Sequence, residues 1–369
     1  MTATTQATTH LAPASPTCRR TAPTAVAPLR PPFETGRPQS LGPEGPERRL
    51  GGAARAGLRE VPPPPASISW APPRVPHLRL SVRLRSRLTC QLPPFHGSML
   101  RGGLGMALRR AVCTEDMDQR CRRCPKRLEC PYALLFETTV DGTPPPLMGG
   151  SVNAPRPLIV EPRSRRRRFV AGDPLDFDLL LLGDAARFHP FLALALERMA
   201  QTGLGVRRAP FALDALRYAE HGGAWSAPTH LAQNTPLRRL RLRFLTPTRL
   251  LVHKELDQAP SFRTLALKAA RRVLEVAHFH VPGARVDWDL EALLGRAEAI
   301  TTHADDLRWI HLERYSNRQR RKLDAGGLVG TVALDGDLTP FLPLLTAAET
   351  LHIGKGTTYG LGRVAVEAV

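Results

Sequence analysis

Nowhere among its 369 residues does the chain gather the roughly 18 consecutive apolar residues that a membrane-crossing helix needs. The apolar run Leu179–Leu182 is too short, and Asp176, Asp178 and Asp184 interrupt its surroundings. A helical membrane span is therefore excluded. The N-terminus lacks the apolar core of a secretory signal. Its Ser, Thr, Ala and Arg content, with no acid before Glu34, gives a slight likeness to an organellar transit peptide; an overextended start or a disordered tail fits it better. The expected compartment is the cytoplasm, where six cysteines are thiols or metal ligands rather than disulfides. Acid is scarce: 33 Asp and Glu stand against 52 Lys and Arg, a formal charge of +19. Lysine is scarcer still, at five residues, so part of the arginine excess reflects codon usage. The remaining imbalance is the footprint of a polyanion-binding protein.

Periodic apolar pattern is missing from residues 1–76, which hold 16 of the 36 prolines. That segment reads as a disordered Pro-rich tail. Order begins at His77. Leu78, Leu80, Val82 and Leu84 alternate with Arg79, Ser81, Arg83 and Arg85, as in a strand with one buried and one basic face. After Pro93-Pro94, Ser98 is placed to cap a helix reaching Val112, with Leu100, Leu104, Leu108 and Val112 on one side. The pattern returns later. Leu240, Leu242 and Phe244 alternate with Arg239, Arg241 and Arg243, a turn is expected at Thr246-Pro247, and a helix over about 261–280 follows. Further strands are expected at Leu328–Leu334 and Leu361–Val366, around a helix near Phe341–Ala348. Another helix is expected at Phe191–Met199.

The repetition implies a duplicated βα unit, and in the second half the order of elements fits a split βαβ sheet. Two arginine strands at equivalent positions suggest a shared RNA-facing surface. Arg163 and Arg165–Arg168 form a cationic run that is either a solvated loop or a clamp on a phosphate backbone.

The densest feature is Leu351–Arg363, where Gly354, Lys355, Gly356, Tyr359, Gly360, Gly362 and Arg363 fall within ten residues. Bare N–H groups in a glycine turn beside cations make an anion cradle. The chain's charge makes nucleic-acid phosphate the expected anion. Lys355 is the expected phosphate contact. Tyr359 either stacks on a base or plugs the loop.

Together with Arg308-Trp309, Arg314-Tyr315-Ser316, Arg318-Gln319, Gly326-Gly327 and Gly330, this run resembles the C-terminal domain of the CRISPR repeat-RNA-processing endoribonucleases, within the RAMP superfamily. Gly97-Ser98, Leu100-Arg101-Gly102 and Gly105 resemble the family's first helix. Cys124-Pro125, Cys130-Pro131-Tyr132, Leu135-Phe136-Glu137 and Pro247-Thr248-Arg249 add to the likeness, which covers roughly residues 77–369. The resemblance implies an α+β chain of tandem ferredoxin-like (RRM-like) domains. They are placed at 77–235, with a cysteine-cluster insertion, and 236–369, with the glycine-rich loop. It implies binding of CRISPR precursor RNA and one cut per repeat, with CRISPR effector-complex subunits as further partners and no membrane. A non-catalytic RNA-binding RAMP subunit is the alternative, and a general basic RNA-binding protein a third reading.

Metal-free RNA cleavage uses the 2′-hydroxyl as nucleophile, a general base, a cation for the phosphorane oxygens and an acid for the leaving 5′ oxygen. It leaves a 2′,3′-cyclic phosphate. His96, just before the first helix, and His352, just before the glycine run, are the acid–base candidates, joined by Tyr315 and Lys355 as catalytic residues. His96 is otherwise a turn residue without a role, and His352 a strand-end residue bonded to backbone. Arg101, Arg109, Arg314, Arg318 and Arg363, with Gly354, Gly356, Tyr359, Gly360 and Gly362, are expected RNA contacts. No cofactor is expected for catalysis. Cys113, Cys121, Cys124 and Cys130 are within reach of a structural zinc by spacing; an iron–sulfur site and free thiols are the alternatives.

Overall fold

The computed structural model describes residues 72–369 apart from 141, 145–147, 149–153, 224, 226–235, 285–288 and 317–320. The expected tail thus lies almost wholly outside the described residues, as does Arg318.

The first lobe is built from β1 (His77–Ser86), α1 (His96–Val112), β2 (Leu158–Pro162), β3 (Pro174–Leu182), α2 (His189–Thr202) and β4 (Phe211–Gly222). Its sheet runs β2-β3-β1-β4, every neighbour antiparallel. The second lobe repeats the arrangement with β5 (Arg239–Thr248), α3 (Phe262–His280), β6 (Thr301–Ala304), β7 (Gly327–Asp335), α4 (Leu342–Leu351) and β8 (Val364–Ala368). Its order is β6-β7-β5-β8, again antiparallel. Both are ferredoxin-like sheets of the βαββαβ kind. No helix among the described residues is long and apolar enough to cross a membrane.

The alternating strands fold as their pattern demands. Leu78, Leu80, Val82 and Leu84 are buried under α1 and α2, and Leu240, Leu242 and Phe244 under α3 and α4. The run Leu179–Leu182 has a different cause. Leu158, Val160, Leu179 and Leu181 enter the first lobe's core, whereas Ile159, Leu180 and Leu182 enter the second lobe's core. Strands β2 and β3 are buried on both faces, so their sequence reads as continuous apolar chain rather than alternation.

Several boundaries differ from expectation. Phe95, not Ser98, occupies the N-cap of α1, without a side-chain cap; the chain bends at Pro94, is extended at Phe95 and turns helical at His96, so Ser98 lies inside the first turn. Ser261 does cap α3, accepting from the Thr264 amide. No turn forms at Thr246-Pro247. β5 continues to Thr248, with the Leu245 and Thr246 amides sharing the Arg363 carbonyl. Residues Leu361–Arg363 belong to the glycine-rich loop, and β8 begins at Val364.

The arginine rows are not bare. On β1, Arg79 meets Glu161 at 2.5 Å, Arg83 meets Asp176 at 2.8 Å and Arg85 meets Asp214 at 3.0 Å. On β5, Arg239 meets Asp335 at 2.6 Å, and Arg241 and Arg243 meet Asp305 and Glu367 at 3.4 Å each. Carboxylates on neighbouring strands and loops pair with both rows.

Candidate nucleic-acid interface

Three segments meet where the lobes join: the start of α1, the glycine-rich loop after α4, and the strand Glu313–Ser316, which pairs with Arg321–Asp324. The contact requires missing side chains. A Cβ on Gly97 would stand 1.9 Å from the Tyr359 carbonyl oxygen, and one on Gly360 would stand 2.6 Å from that of Val160. Any residue but glycine at either position pushes backbone from backbone.

The loop's amides are mostly committed. Lys355 donates its N–H to the Arg249 carbonyl, Tyr359 to Gly356, Gly360 to Thr357 and Gly362 to Pro247. The glycines close the loop on itself and on its neighbours, so the expected cradle of bare N–H groups is not formed by these four. Cationic side chains supply the site's anion-attracting character instead.

Tyr359 is held between two guanidinium groups. Arg314 lies 4.6 Å from its ring centroid and Arg101 lies 5.4 Å, Arg101 also covering Phe136 at 4.8 Å. Such cation–π stacking occupies faces otherwise open to a base. Burial lowers the pKa of Arg101, and its Nε has no hydrogen-bond partner. Tyr315, beside Arg314, is 57% exposed. Arg363 donates its backbone N–H to Thr246, with its guanidinium 3.8 Å from Glu161. Arg109 turns elsewhere: it donates to the Gln119 carbonyl at 2.7 Å and lies over Tyr132, facing the cysteine segment.

Lys355 is exposed on the turn between Gly354 and Gly356, both at positive φ. Lys268 and Arg271 of α3 are its neighbours: the Lys268 pKa is lowered first by burial and then by the charges of Arg271 and Lys355. Sequence reading missed Lys268. Its signal was the i, i+3 spacing to Arg271 on one helix face.

The two histidines part company. His96 opens α1 and is 1% exposed, with its ring 6.2 Å from that of Phe169. Burial pushes its pKa down, the backbone of Arg166 and Ser164 lies alongside, and neither ring nitrogen makes a well-formed hydrogen bond. His352 is 0% exposed. Its Nδ1 is 3.0 Å from the Leu361 carbonyl and its Nε2 is 3.0 Å from Glu161 Oε1. Glu161 is 2% exposed. Burial alone would raise its pKa. The hydrogen bond and charge of His352, with the charges of Arg79 and Arg363, outweigh burial and hold the carboxyl at about 2. Glu161 was also missed. It is the lone acid in the apolar run Leu158-Ile159-Val160, and an acid in such a run needs a buried partner.

Cys113, Cys121, Cys124 and Cys130 are all free thiols of intermediate burial. Among the described residues no three His, Cys, Asp or Glu side chains come together as a metal-binding group. The expected four-thiolate site is therefore not assembled: Cys113 donates to the Glu115 carbonyl at 3.6 Å, and burial raises the Cys121 thiol pKa.

Residues 242–364 match a family described as CRISPR-associated endoribonuclease Cas6. Residues 75–240 match a family described only as an N-terminal domain. An uncharacterized protein of Archaeoglobus fulgidus is 28% identical over 126 residues, which is 33% of this chain and 41% of that relative's length. Among solved structures, a Cas6 product complex is 22% identical, with a TM-score of 0.44 over 79% of this chain and 100% of its own. Thermus thermophilus Cas6 is 17% identical, with a TM-score of 0.46 over 79% and 98%. A partial Cas6-RT-Cas1–Cas2 complex is 12% identical, with a TM-score of 0.47 over 81% and 47%.

Proposed function

We propose, from the match of residues 242–364 to a family described as CRISPR-associated endoribonuclease Cas6, that this chain binds CRISPR precursor RNA and cuts once within each repeat by attack of the ribose 2′-hydroxyl. The observation that carries the reading is the convergence of α1, the glycine-rich loop and Arg314 on Tyr359, a cationic junction with His96 at the head of α1.

In this mechanism Lys355, Lys268 and Arg271 hold backbone phosphate by charge. Arg101 and Arg314 steady the phosphorane oxygens from either side of Tyr359. His96 removes the 2′-hydroxyl proton. Its lowered pKa keeps the ring neutral, the form a base needs. His96 is 1% exposed beside the Ser164 and Arg166 backbone, so reaction at its ring requires that segment to move aside. Attack by the 2′ oxygen breaks the bond from phosphorus to the 5′ oxygen, which takes its proton from solvent or from the His96 imidazolium, leaving a 2′,3′-cyclic phosphate and a 5′-hydroxyl. Partners in the cell are repeat RNA and subunits of a CRISPR effector complex.

Purified protein mixed with a cognate repeat RNA in EDTA should give one cut and a cyclic phosphate end. A 2′-deoxy substitution at the cut site should abolish cleavage; continued cutting of that substrate rejects the mechanism. A second reading, an RNA-binding subunit that does not cut, is favoured by the burial of both histidines. Tight binding of the repeat with no product under the same conditions selects it.

A further inference from the structure

We propose that Glu161 and His352 form a positioning pair for cleavage, joining the lobes so that the glycine-rich loop is registered on α1 and on the segment beside His96. This rests on the cleavage reading above.

The pair links positions 191 residues apart, one in each lobe. Both ring nitrogens of His352 face acceptors, the Leu361 carbonyl and Glu161 Oε1. A doubly protonated ring satisfies both; a neutral ring can donate to only one. The other Glu161 oxygen receives Arg79 at 2.5 Å, and Arg79 also approaches Asp178 at 3.7 Å. A buried pair of this kind is a poor device for stability alone, because well-packed apolar side chains do as well or better; fixing register is its best attested use.

What it registers is legible in the surrounding bonds. The Leu361 contact ties the end of the glycine loop to its beginning, beside the Ile353 amide bonded to the Gly362 carbonyl at 2.9 Å. His352 holds φ +60°, ψ 160°, a conformation an L-residue adopts only when its surroundings enforce it. On the other side, Val160 backs onto Gly360, Glu161 follows, and Ser164 and Arg166 lie along His96. A displacement at Glu161 therefore reaches both Tyr359 and the backbone over His96. Neither member of the pair touches RNA.

The test compares wild type, Glu161→Gln, His352→Gln and the double variant. Single-turnover cleavage at saturating repeat RNA, RNA affinity and thermal melting are measured for each. Each single change should slow cleavage on the order of 10²-fold, the cost of a small misplacement of reacting groups. Affinity should move by less than about threefold, as befits a rate-specific defect. The double variant should be no slower than the slower single one. Wild-type rates in either single variant overturn the proposal, as do losses that multiply in the double variant. Glu161→Asp, which keeps the charge, should recover part of the rate; loss of cooperative melting in all variants marks the pair as a stability element and rejects the positioning role. Hydrogen exchange separates this failure from failure of the cleavage reading. If wild type binds without cutting, Glu161→Gln should still speed amide exchange across 354–361 and 163–168, and unchanged exchange there overturns the pairing role itself.

Discussion

The start of α1 and the end of α4 each bury a histidine, and the two surroundings are opposites. His96 lies in an apolar pocket with Phe169, its ring nitrogens without well-formed partners and its pKa lowered by burial. His352 is surrounded by ions and carbonyls, with both nitrogens engaged. As sequence both were candidates, His96 the first and His352 the second. The structure separates a ring with idle chemistry from a ring fully occupied in holding two lobes together. Burial is common to both rings; what differs is whether the ring nitrogens are engaged.

The sharpest way to break that contrast is His96→Ala. Loss of a general base should lower single-turnover cleavage by about 10²–10⁴-fold while leaving affinity nearly unchanged. Wild-type speed in this variant removes His96 from the reaction. The pH–rate profile refines the point: because burial lowers the His96 pKa, the limb for its neutral form should fall at a pH below the ordinary histidine value of about 6.5.

The His352 environment predicts an acid sensitivity of its own. Glu161 has a folded pKa of about 2 against an ordinary 4.5. A depressed carboxyl contributes stability above its unfolded pKa, and that contribution drains away as pH falls from about 4.5 towards 2. The shift corresponds to on the order of 3 kcal/mol. Glu161→Gln should flatten the acid limb of the stability curve. An unaltered limb means that the carboxyl is not held down by its partners.

Smaller effects test where RNA lies. Lys355→Ala should weaken binding and reduce the salt slope by about one phosphate contact. An unchanged slope takes Lys355 out of the interface. Smallest of all is Arg241→Ala. Its pair with Asp305 is half exposed and worth about 0–1 kcal/mol, so stability and RNA affinity should scarcely move. A large loss of affinity would place the β5 row on the RNA surface.

Local order was well written in the chain. Alternation in 78–85 and 239–244 announced strands β1 and β5, the spacing of Leu100, Leu104 and Leu108 announced α1, and the repeated unit announced tandem sheets. What escaped detection depends on partners far away in sequence. Nothing near Arg83 or Arg239 announces Asp176 or Asp335 across a strand pair. Nothing near His352 announces Glu161. The glycine run signalled a special backbone. Several of its amides are spent on carbonyls such as those of Arg249 and Pro247, which approach from elsewhere in the lobe. The cysteine spacing was compatible with a metal site, but spacing does not fix where sulfurs point.

Strands β2 and β3 lend one face to each core. Ile159, Leu180 and Leu182 are fully covered, each such side chain worth about 1.5–3 kcal/mol when withdrawn from water. Neither half is therefore a self-sufficient module, however closely their topologies match. A fragment stopping at residue 222 would expose a sticky apolar stripe and be prone to aggregate, and the isolated remainder would lack a wall. The two sheets share a topology, but shared masonry obliges them to melt as one.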